Sequence, residues 1–199
     1  YAKAAAQRDS RALNNLAWCY EYGRGVNQDM EEAVNLYKTA AAQDYPPAVS
    51  RLGLCFENGE EVEQSWEKAA ELYLKAAQMD FAPAMCNYAW CCEFGKGVEK
   101  NLAEAFRWFN MAAERNFPRG LSRIGLCYET GEQVPQSWEK ATEYYRKAAG
   151  QGFAPGQCNL AWCYEYGKGV PQSWQEAVYW YTKAAEQNYH RALCNLGWC

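Results

Sequence analysis

The chain has 199 residues, of which 49% are hydrophobic and 22% charged, and its formal net charge is −4. This length can bury a hydrophobic core, and the small acidic excess argues against binding nucleic acid, which needs excess basic charge. The acidic excess also argues against an anionic membrane surface, and no apolar run approaches the ~18 residues that a membrane span requires. The chain contains 1 histidine, which leaves little scope for acid–base catalysis at neutral pH.

The sequence repeats with a period of 36 residues, without insertions. Trp18-Cys19 lies one period before Leu54-Cys55 and two periods before Trp90-Cys91. Residues 1–19 resemble residues 181–199, five periods later. The chain therefore holds five periods and part of a sixth, with a half-repeat at each end. This arrangement predicts either an excerpt from a longer array or end-to-end self-association.

Each period is predicted to form two helices. Helix A of the first period is predicted from Arg11 to Tyr22 and ends at Gly23, a residue type that suits the left-handed position after a helix. Helix B is predicted from Met30 to Gln43, preceded by an N-cap residue type that recurs at Asp29, Ser65, Asn101, Ser137 and Ser173. Later A helices open with proline, which the first helical turn tolerates, at Pro47, Pro83, Pro118 and Pro155. The pattern predicts an all-α solenoid of antiparallel helix pairs, one domain over residues 1–199.

The repeats also alternate between two types, so that the longer period is about 72 residues. One type has a G-x-G-V loop, and the other has GEEV or GEQV and lacks the second glycine, which leaves its loop conformation open. Loop charges alternate in sign, as at Glu60 and Lys96, and helix B carries the opposite sign eight residues later, as at Lys68 and Glu104. We expect one complementary ion pair per repeat.

The repeats contain the run L-A/G-x-C-Y-x-x-G-x-G-V, followed by an N-cap residue and an aromatic helix with K-A-A. This pattern resembles the Sel-1-like repeat family, which is related to tetratricopeptide repeats. In the first full repeat the match lies in Leu16-Ala17, Tyr20, the run 23–26, Ala33 and Ala40-Ala41. Five copies in register cover the whole chain. The resemblance implies a right-handed superhelix that acts as a protein-interaction scaffold, usually without catalysis.

Helical geometry divides helix A into two faces at about 100° per residue. Ala12, Leu16, Cys19 and Tyr20 form an apolar face suited to packing. The opposite face carries Asn14, Trp18, Glu21 and Tyr22, and in tetratricopeptide-like solenoids this face lines the concave groove. The predicted partner-binding residues are Trp18, Glu21, Tyr22, Arg51, Glu57, Asn87, Trp90, Glu93, Phe94, Arg123, Glu129, Asn159, Trp162, Glu165 and Tyr166.

Several interpretations of these columns stay open. The Trp and Leu column, which ends at Trp198, either anchors a ligand or fills gaps between successive A helices. The Glu column either favours a ligand with Lys or Arg, or is a solvated face paired locally. Helix-B aromatic residues are expected to pack in the core, namely Trp108, Phe109, Tyr144, Tyr145, Trp180 and Tyr181.

The 10 cysteines are expected to be free thiols. Six share one core position, and Cys86, Cys158 and Cys194 are expected on the groove side at the position of Asn14. Successive A helices lie ~8–10 Å apart, beyond the usual Cα separation of a disulfide. Free cysteines favour a reducing compartment and a cytoplasmic location. Because the chain begins with Tyr rather than Met, a secreted or lumenal location stays open.

Nothing in the pattern points to a metal, a cofactor or an enzyme. There is no C-x-x-C pair, and His190 is expected to be a surface residue. The glycine loops follow helices and lack the third glycine of a dinucleotide fingerprint. The sequence thus predicts a non-catalytic scaffold whose groove binds a peptide or protein with apolar and basic residues. The alternative is an architectural spacer or a self-assembling solenoid with an idle groove.

Overall fold

The computed structural model describes residues 9–197, and within that range the secondary structure is entirely helical. A helices alternate with B helices along the chain. The A helices are α1 (Ser10–Tyr22), α3 (Pro46–Asn58), α5 (Ala82–Phe94), α7 (Pro118–Thr130), α9 (Ala154–Tyr166) and α11 (His190–Leu196). The B helices are α2 (Met30–Ala41), α4 (Trp66–Gln78), α6 (Leu102–Glu114), α8 (Trp138–Gly150) and α10 (Trp174–Ala185).

The helices are grouped into two compact units. The first unit extends to Ala105 and the second begins at Phe106, so that the boundary falls within α6. In the first unit α1 packs on α2, α2 on α3, α3 on α4, and α4 on α5. In the second unit the same order of contacts joins α7 through α11. Within each unit, these helices therefore pack on their neighbours in the chain, as the solenoid prediction requires.

All five predicted N-caps of the B helices are confirmed. Asp29 Oδ1 accepts a hydrogen bond from the backbone N–H of Glu32 at 3.0 Å, and Asn101 Oδ1 accepts the equivalent bond. The Oγ atoms of Ser65, Ser137 and Ser173 do the same. Gly23 ends α1 in the left-handed conformation, also as predicted. These bonds satisfy N–H groups that have no intrahelical partner.

The first B helix ends at Ala41, two residues earlier than the predicted Gln43. Asp44 follows with a φ of 55°, and its N–H donates to the carbonyl of Ala41 at 3.0 Å. Asp80, Asn116 and Asn188 adopt the same left-handed conformation after their own B helices. Asp and Asn tolerate this conformation better than other non-glycine residues, which makes them effective helix terminators.

The core lies between the A and B helices and combines alanine with tyrosine. Alanines such as Ala33, Ala69 and Ala141 are fully buried and allow close approach of the helices. The largest fully buried side chains belong to one position of helix B, at Tyr37, Tyr73, Tyr145 and Tyr181. Phe109 and Trp108 are also buried, while Tyr144 and Trp180 are half-buried. The expectation that helix-B aromatic residues pack inside is confirmed for the six predicted residues, whereas Trp174 and Tyr179 of α10 are more than half exposed.

The second glycine of the G-x-G loop brings repeats close together within each unit. A Cβ atom at Gly97 would lie 2.0 Å from the carbonyl oxygen of Trp66, and Gly169 approaches Trp138 in the same way. In the alternate repeats Glu61 and Gln133 replace this glycine but still adopt left-handed φ values of 52° and 66°. The loop conformation that the sequence left open is therefore left-handed in both repeat types.

Candidate partner-binding face

Aromatic pairs line one side of the A helices in each unit. Trp18 packs on Tyr22 with ring centroids 5.1 Å apart, and Trp90 packs on Phe94 at 5.0 Å. In the second unit Trp162 packs on Tyr166, also at 5.0 Å. The outer members of the pairs are exposed, with fractions of 51% for Tyr22, 53% for Phe94 and 55% for Tyr166. We call the surface that carries these pairs and the neighbouring glutamates the aromatic face of each unit.

The inner tryptophans have a packing role as well. Trp90 contacts the ring of Trp66 on the preceding B helix at 5.6 Å, and Trp162 contacts Trp138 in the same geometry. Both inner rings are half-buried, whereas Trp18 is 47% exposed. The Trp column therefore fits both interpretations. Its tryptophans fill the junction between repeats, and part of each pair still reaches solvent. Trp198, the last member of this column, lies outside the described residues.

The glutamate column is tied to the buried tyrosines of helix B. The hydroxyl of Tyr37 donates to Glu21 at 2.7 Å, and that of Tyr73 donates to Glu57 at 2.6 Å. Tyr145 donates to Glu129 and Tyr181 donates to Glu165 in the same way. Burial, together with these carboxylates, raises the pKa of Tyr37, Tyr145 and Tyr181. Each of these four glutamates is thus held in a fixed orientation.

Glu21 is also neutralised by an arginine. It forms an ion pair with Arg51 of the next A helix, and the side chain of Glu21 is only 11% exposed. Burial raises the pKa of Glu21, but the hydrogen bonds from Arg51, Tyr37 and Tyr22 outweigh that effect and leave the pKa below its usual value. The carboxylate and the guanidinium therefore stay charged together and cancel each other locally.

The other hydrogen-bonded glutamates keep their net charge. Within the described residues, Glu57, Glu129 and Glu165 form no ion pair, and each is half-buried. Glu93 is half-buried at the equivalent position. Partial burial strengthens the interaction of Glu57, Glu129 and Glu165 with a cation that displaces the remaining water.

The residues of the Asn and Arg column beside the glutamates make different contacts in different repeats. The guanidinium of Arg123 lies over the ring of Phe109 at 5.0 Å. Asn159 Oδ1 accepts a hydrogen bond from Arg191 at 3.2 Å. Asn87 lines a pocket of the first unit together with Arg51. Of these residues, Arg51 and Asn87 line that pocket together with Trp18.

The first unit contains a pocket of about 400 Å³ on this face. Apolar side chains from three A helices and the residues before them form most of its wall, namely Trp18, Pro47, Leu54, Phe81 and Pro83. Asn14, Ser50, Arg51 and Asn87 supply polar groups, and Tyr37 lies at its base. The combination of apolar walls with a few polar groups is typical of ligand sites.

The second unit has a pocket of about 450 Å³ that shares three repeat positions with the first, four periods later. Its lining residues are Trp162, Glu165, Tyr166, Arg191 and Asn195. Arg191 takes the position of Pro47, and Asn195 takes that of Arg51. The two pockets therefore differ in chemistry, and the second is the more polar.

Two expectations about individual positions are wrong. Cys86 and Cys158 were expected on the groove side but are fully buried, whereas Cys194 at the same repeat position is exposed. The loop charges do not form the expected ion pair with Lys68 or Lys140, which instead lie over the rings of Phe56 and Tyr128 at 5.2 and 5.1 Å.

The cysteines that the structure describes are free thiols, and six of them are buried. Burial raises the pKa of Cys55, Cys158 and Cys163 to about 11. His190 is exposed, as expected of a surface residue. Among residues 9–197, no three His, Cys, Asp or Glu side chains converge on a point that could hold a metal ion. No described helix combines the length and apolar character needed to cross a membrane.

The chain belongs to the Sel1 repeat family. The model of the Sel1 repeat matches five consecutive segments, residues 10–45, 46–81, 82–117, 118–153 and 154–189. These segments coincide with the five complete A–B helix pairs. Proteins of this family generally mediate protein–protein interaction and generally act as non-catalytic scaffolds. The comparison with curated proteins returned no match.

Solved structures show the same repeat fold. A Sel1 repeat protein from Oxalobacter formigenes is 33% identical with a TM-score of 0.86, covering 96% of this chain and 76% of that protein. A protective antigen of uropathogenic Escherichia coli with an SLR fold is 29% identical with a TM-score of 0.80, and the match covers 98% of this chain but 42% of that protein. An immunity protein from Pseudomonas aeruginosa is 20% identical with a TM-score of 0.67, over 96% of this chain and 74% of that protein, and shows the fold alone.

Proposed function

We propose that the aromatic face of each unit binds an extended segment of a partner protein, without catalysis. The observation that carries the proposal is the set of outer aromatic rings, Tyr22, Phe94 and Tyr166, each more than half exposed although each packs on a tryptophan in a tilted geometry. This packing restricts the rings before binding, so a ligand that covers them loses less conformational entropy. Rigid exposed aromatic residues of this kind are frequent anchors in protein interfaces.

The proposed ligand carries apolar and basic residues. Apolar side chains cover the aromatic pairs, and a Lys or Arg of the ligand meets Glu57, Glu129 or Glu165, which keep a net negative charge. Glu21 contributes little to such recognition because Arg51 already neutralises it. We further propose a reducing compartment such as the cytoplasm, because the described cysteines are free thiols.

The test begins with a phage library of random dodecapeptides selected on the immobilised wild-type protein. Selected peptides are expected to combine apolar residues with Lys or Arg. Their dissociation constants are then measured by fluorescence polarisation with wild type and with the triple variant Tyr22→Ala/Phe94→Ala/Tyr166→Ala. We expect at least tenfold weaker binding to the variant, because loss of one hot-spot residue alone costs about 2 kcal/mol or more.

A matched control removes exposed apolar side chains from a B helix. The variant Trp174→Ala/Val178→Ala/Tyr179→Ala truncates residues that are 54%, 40% and 51% exposed on α10. It is expected to bind the selected peptides within twofold of wild type. An equal loss of peptide affinity in both variants, or a loss of affinity in the control alone, would contradict the proposal. The alternative of an idle face predicts that the selection yields no peptide sensitive to the aromatic-face variant.

A further inference from the structure

The pocket of the second unit contains a glutamate with one oxygen still open to a donor. Glu165 Oε2 accepts a hydrogen bond from the hydroxyl of Tyr181 at 2.7 Å, while its Oε1 makes no hydrogen bond within the described residues. Glu165 is half-buried and lines the pocket, and Oε1 is not among the buried atoms that lack a partner, so solvent reaches it. A donor of a ligand therefore has access to this oxygen.

The first complete repeat shows which donor fits a carboxylate held in this way. There Glu21 accepts from the hydroxyl of Tyr37 at Oε2, and its Oε1 accepts from Nη2 of Arg51. Nη2 of Arg51 also donates to the hydroxyl of Tyr22 at 3.4 Å, and the guanidinium carbon lies 5.8 Å from the ring centroid of Tyr37. The three residues that surround this guanidinium recur four periods later as Glu165, Tyr166 and Tyr181.

In the second unit these three residues have no arginine at the matching position. Asn195 stands where the first unit has Arg51, and the space beside it belongs to a pocket of about 450 Å³. A guanidinium supplied by a ligand fits the place that Arg51 fills in the first unit. Arginine suits it better than lysine, because a planar guanidinium donates to two acceptors in fixed directions, whereas an ammonium is a compact point charge.

The same pocket contains a cation that is not paired with Glu165. Arg191 forms no ion pair within the described residues, and its Nη1 donates to the neutral side chain of Asn159 at 3.2 Å. Asn159 precedes Glu165 by six residues on α9, so the two lie about 9 Å apart along the helix axis. A pocket with a cation toward one end and a carboxylate toward the other favours an occupant with the opposite arrangement of charge.

A C-terminal arginine residue has this arrangement. Six bonds separate its carboxylate carbon from its guanidinium carbon, which is about 7 Å in an extended side chain. A hydrogen bond adds about 2.9 Å at each end, so the residue is long enough to bridge Arg191 and Glu165. Its three methylene groups then pass Trp162, which lies between Asn159 and Glu165 on α9 and lines the pocket.

We infer that the pocket of the second unit is a subsite for a C-terminal arginine of the partner, whose guanidinium binds Glu165 and whose carboxylate binds Arg191. The inference rests on the proposed function and specifies the residue that one of its glutamates recognises. In the first unit Glu57 is likewise followed by an asparagine, Asn87, at the position of Asn195, but Pro83 stands at the position of Arg191. Recognition of the carboxylate is therefore assigned to the second unit.

The probe for this subsite is N-acetyl-arginine, titrated against the 199-residue chain while the indole N–H resonance of Trp162 is followed by NMR. We expect a saturable shift with a dissociation constant of about 1 mM, which is typical of a ligand this small. N-acetyl-arginine amide lacks the carboxylate and is expected to bind at least fivefold more weakly. N-acetyl-citrulline has nearly the same shape but no cation and is expected to bind at least tenfold more weakly, with N-acetyl-lysine between the two extremes.

Three substitutions test the roles of the residues. Glu165→Gln keeps an acceptor for Tyr181 but removes the charge, so it is expected to abolish the preference for arginine over citrulline. Arg191→Gln is expected to abolish the preference for N-acetyl-arginine over its amide. Asn195→Arg restores the arginine of the first unit, which is expected to occupy the site itself and to prevent the saturable shift. The control Glu186→Gln removes an exposed charge of the same unit outside the pocket and is expected to leave binding unchanged.

Several results would overturn the subsite. These are equal binding of N-acetyl-arginine and its amide, equal binding of the arginine and citrulline probes, and undiminished binding of N-acetyl-arginine to Asn195→Arg. Circular dichroism checks that each variant keeps the helicity of wild type. If a variant fails to fold, the comparison of the three probes on wild type remains decisive.

The outcomes separate this inference from the proposed function. Displayed dodecapeptides are joined to the phage coat protein through their C-termini, so their selection does not depend on a free terminal carboxylate. If the selected peptides require the outer aromatic residues but the probes are not distinguished, the proposed function stands and only the subsite fails. If the selected peptides ignore the aromatic face, the proposed function fails whatever the probes show.

Discussion

At the scale of single residues, the bond between a helix-B tyrosine and a helix-A glutamate is the least expected feature of the molecule. It joins residues 16 positions apart in four repeats, as between Tyr145 and Glu129. The two residues recur at a constant spacing in the sequence, and this spacing was the only sign of the bond before the structure. Periodicity shows that both positions recur, but it cannot show that a buried hydroxyl and a surface carboxylate meet.

The bond predicts a specific loss of stability in Tyr145→Phe. The substitution removes the donor and leaves Glu129 half-buried without its partner, so we expect a destabilisation of about 1.5–3 kcal/mol, typical of a hydrogen bond to a charged group. The adjacent Tyr144 is half-buried, and its hydroxyl forms no hydrogen bond in the described structure. Tyr144→Phe is therefore the matched control and should change the free energy of unfolding by less than about 0.5 kcal/mol. Urea unfolding measures both, and equal losses would contradict this role of the bond.

The same environment predicts sensitivity to alkaline pH. The folded state raises the pKa of Tyr37, Tyr145 and Tyr181 above the unfolded value of about 10. A group with a raised pKa contributes stability that is complete below its unfolded pKa and is lost as pH rises toward the folded pKa. Cys55, Cys158 and Cys163, with pKa values of about 11, act in the same direction from about pH 9 upward.

We therefore expect the urea midpoint to fall between about pH 9 and pH 11. Tyrosinate absorbance at 295 nm should show that Tyr37, Tyr145 and Tyr181 ionise only as helicity is lost. Complete titration of all tyrosines near pH 10 with unchanged helicity would contradict the buried hydrogen bonds.

At the scale of helices, local chemistry made the boundaries largely predictable. Capping residues such as Asp29 and Ser65 and the left-handed Gly23 act within a few residues of their own helix, so their role follows from spacing. The end of α2 at Ala41 was harder to predict from the sequence, because it depends on the left-handed conformation of Asp44. The burial of Cys158 could not be predicted from its own helix, since it packs in one cluster with Ala177 and Ala192 of other helices.

The close approach of repeats predicts a large effect of Gly97→Ala. The new Cβ would lie 2.0 Å from the carbonyl oxygen of Trp66, in addition to the cost of a left-handed conformation for alanine. Gly25 is also left-handed but has nothing within 4 Å of its Cβ position. Gly25→Ala should therefore cost only about 1–2 kcal/mol, and Gly97→Ala clearly more. Chemical denaturation measures the free energy of unfolding of both variants. An equal loss of stability would show that the contact with Trp66 does not restrict the side chain at position 97.

At the scale of the whole molecule, the repeat architecture followed from the sequence, and its division into two units did not. A uniform 36-residue period runs through the boundary at Ala105 and Phe106 without a shift in composition or an inserted linker. The aromatic face was predictable as a set of columns because its residues recur in phase. Which glutamates are neutralised depends on contacts between repeats, as the pair of Glu21 with Arg51 shows.

The central claim is that the partner lies against the A helices, and photocrosslinking tests it most directly. A selected dodecapeptide carrying p-benzoylphenylalanine at an apolar position is irradiated with the 199-residue chain, and the crosslinked residues are identified by mass spectrometry. We predict crosslinks to residues of the aromatic face on α1, α5 and α9, with protection by the unlabelled peptide. Crosslinks confined to the B helices, or crosslinks that the unlabelled peptide does not compete away, would contradict the account.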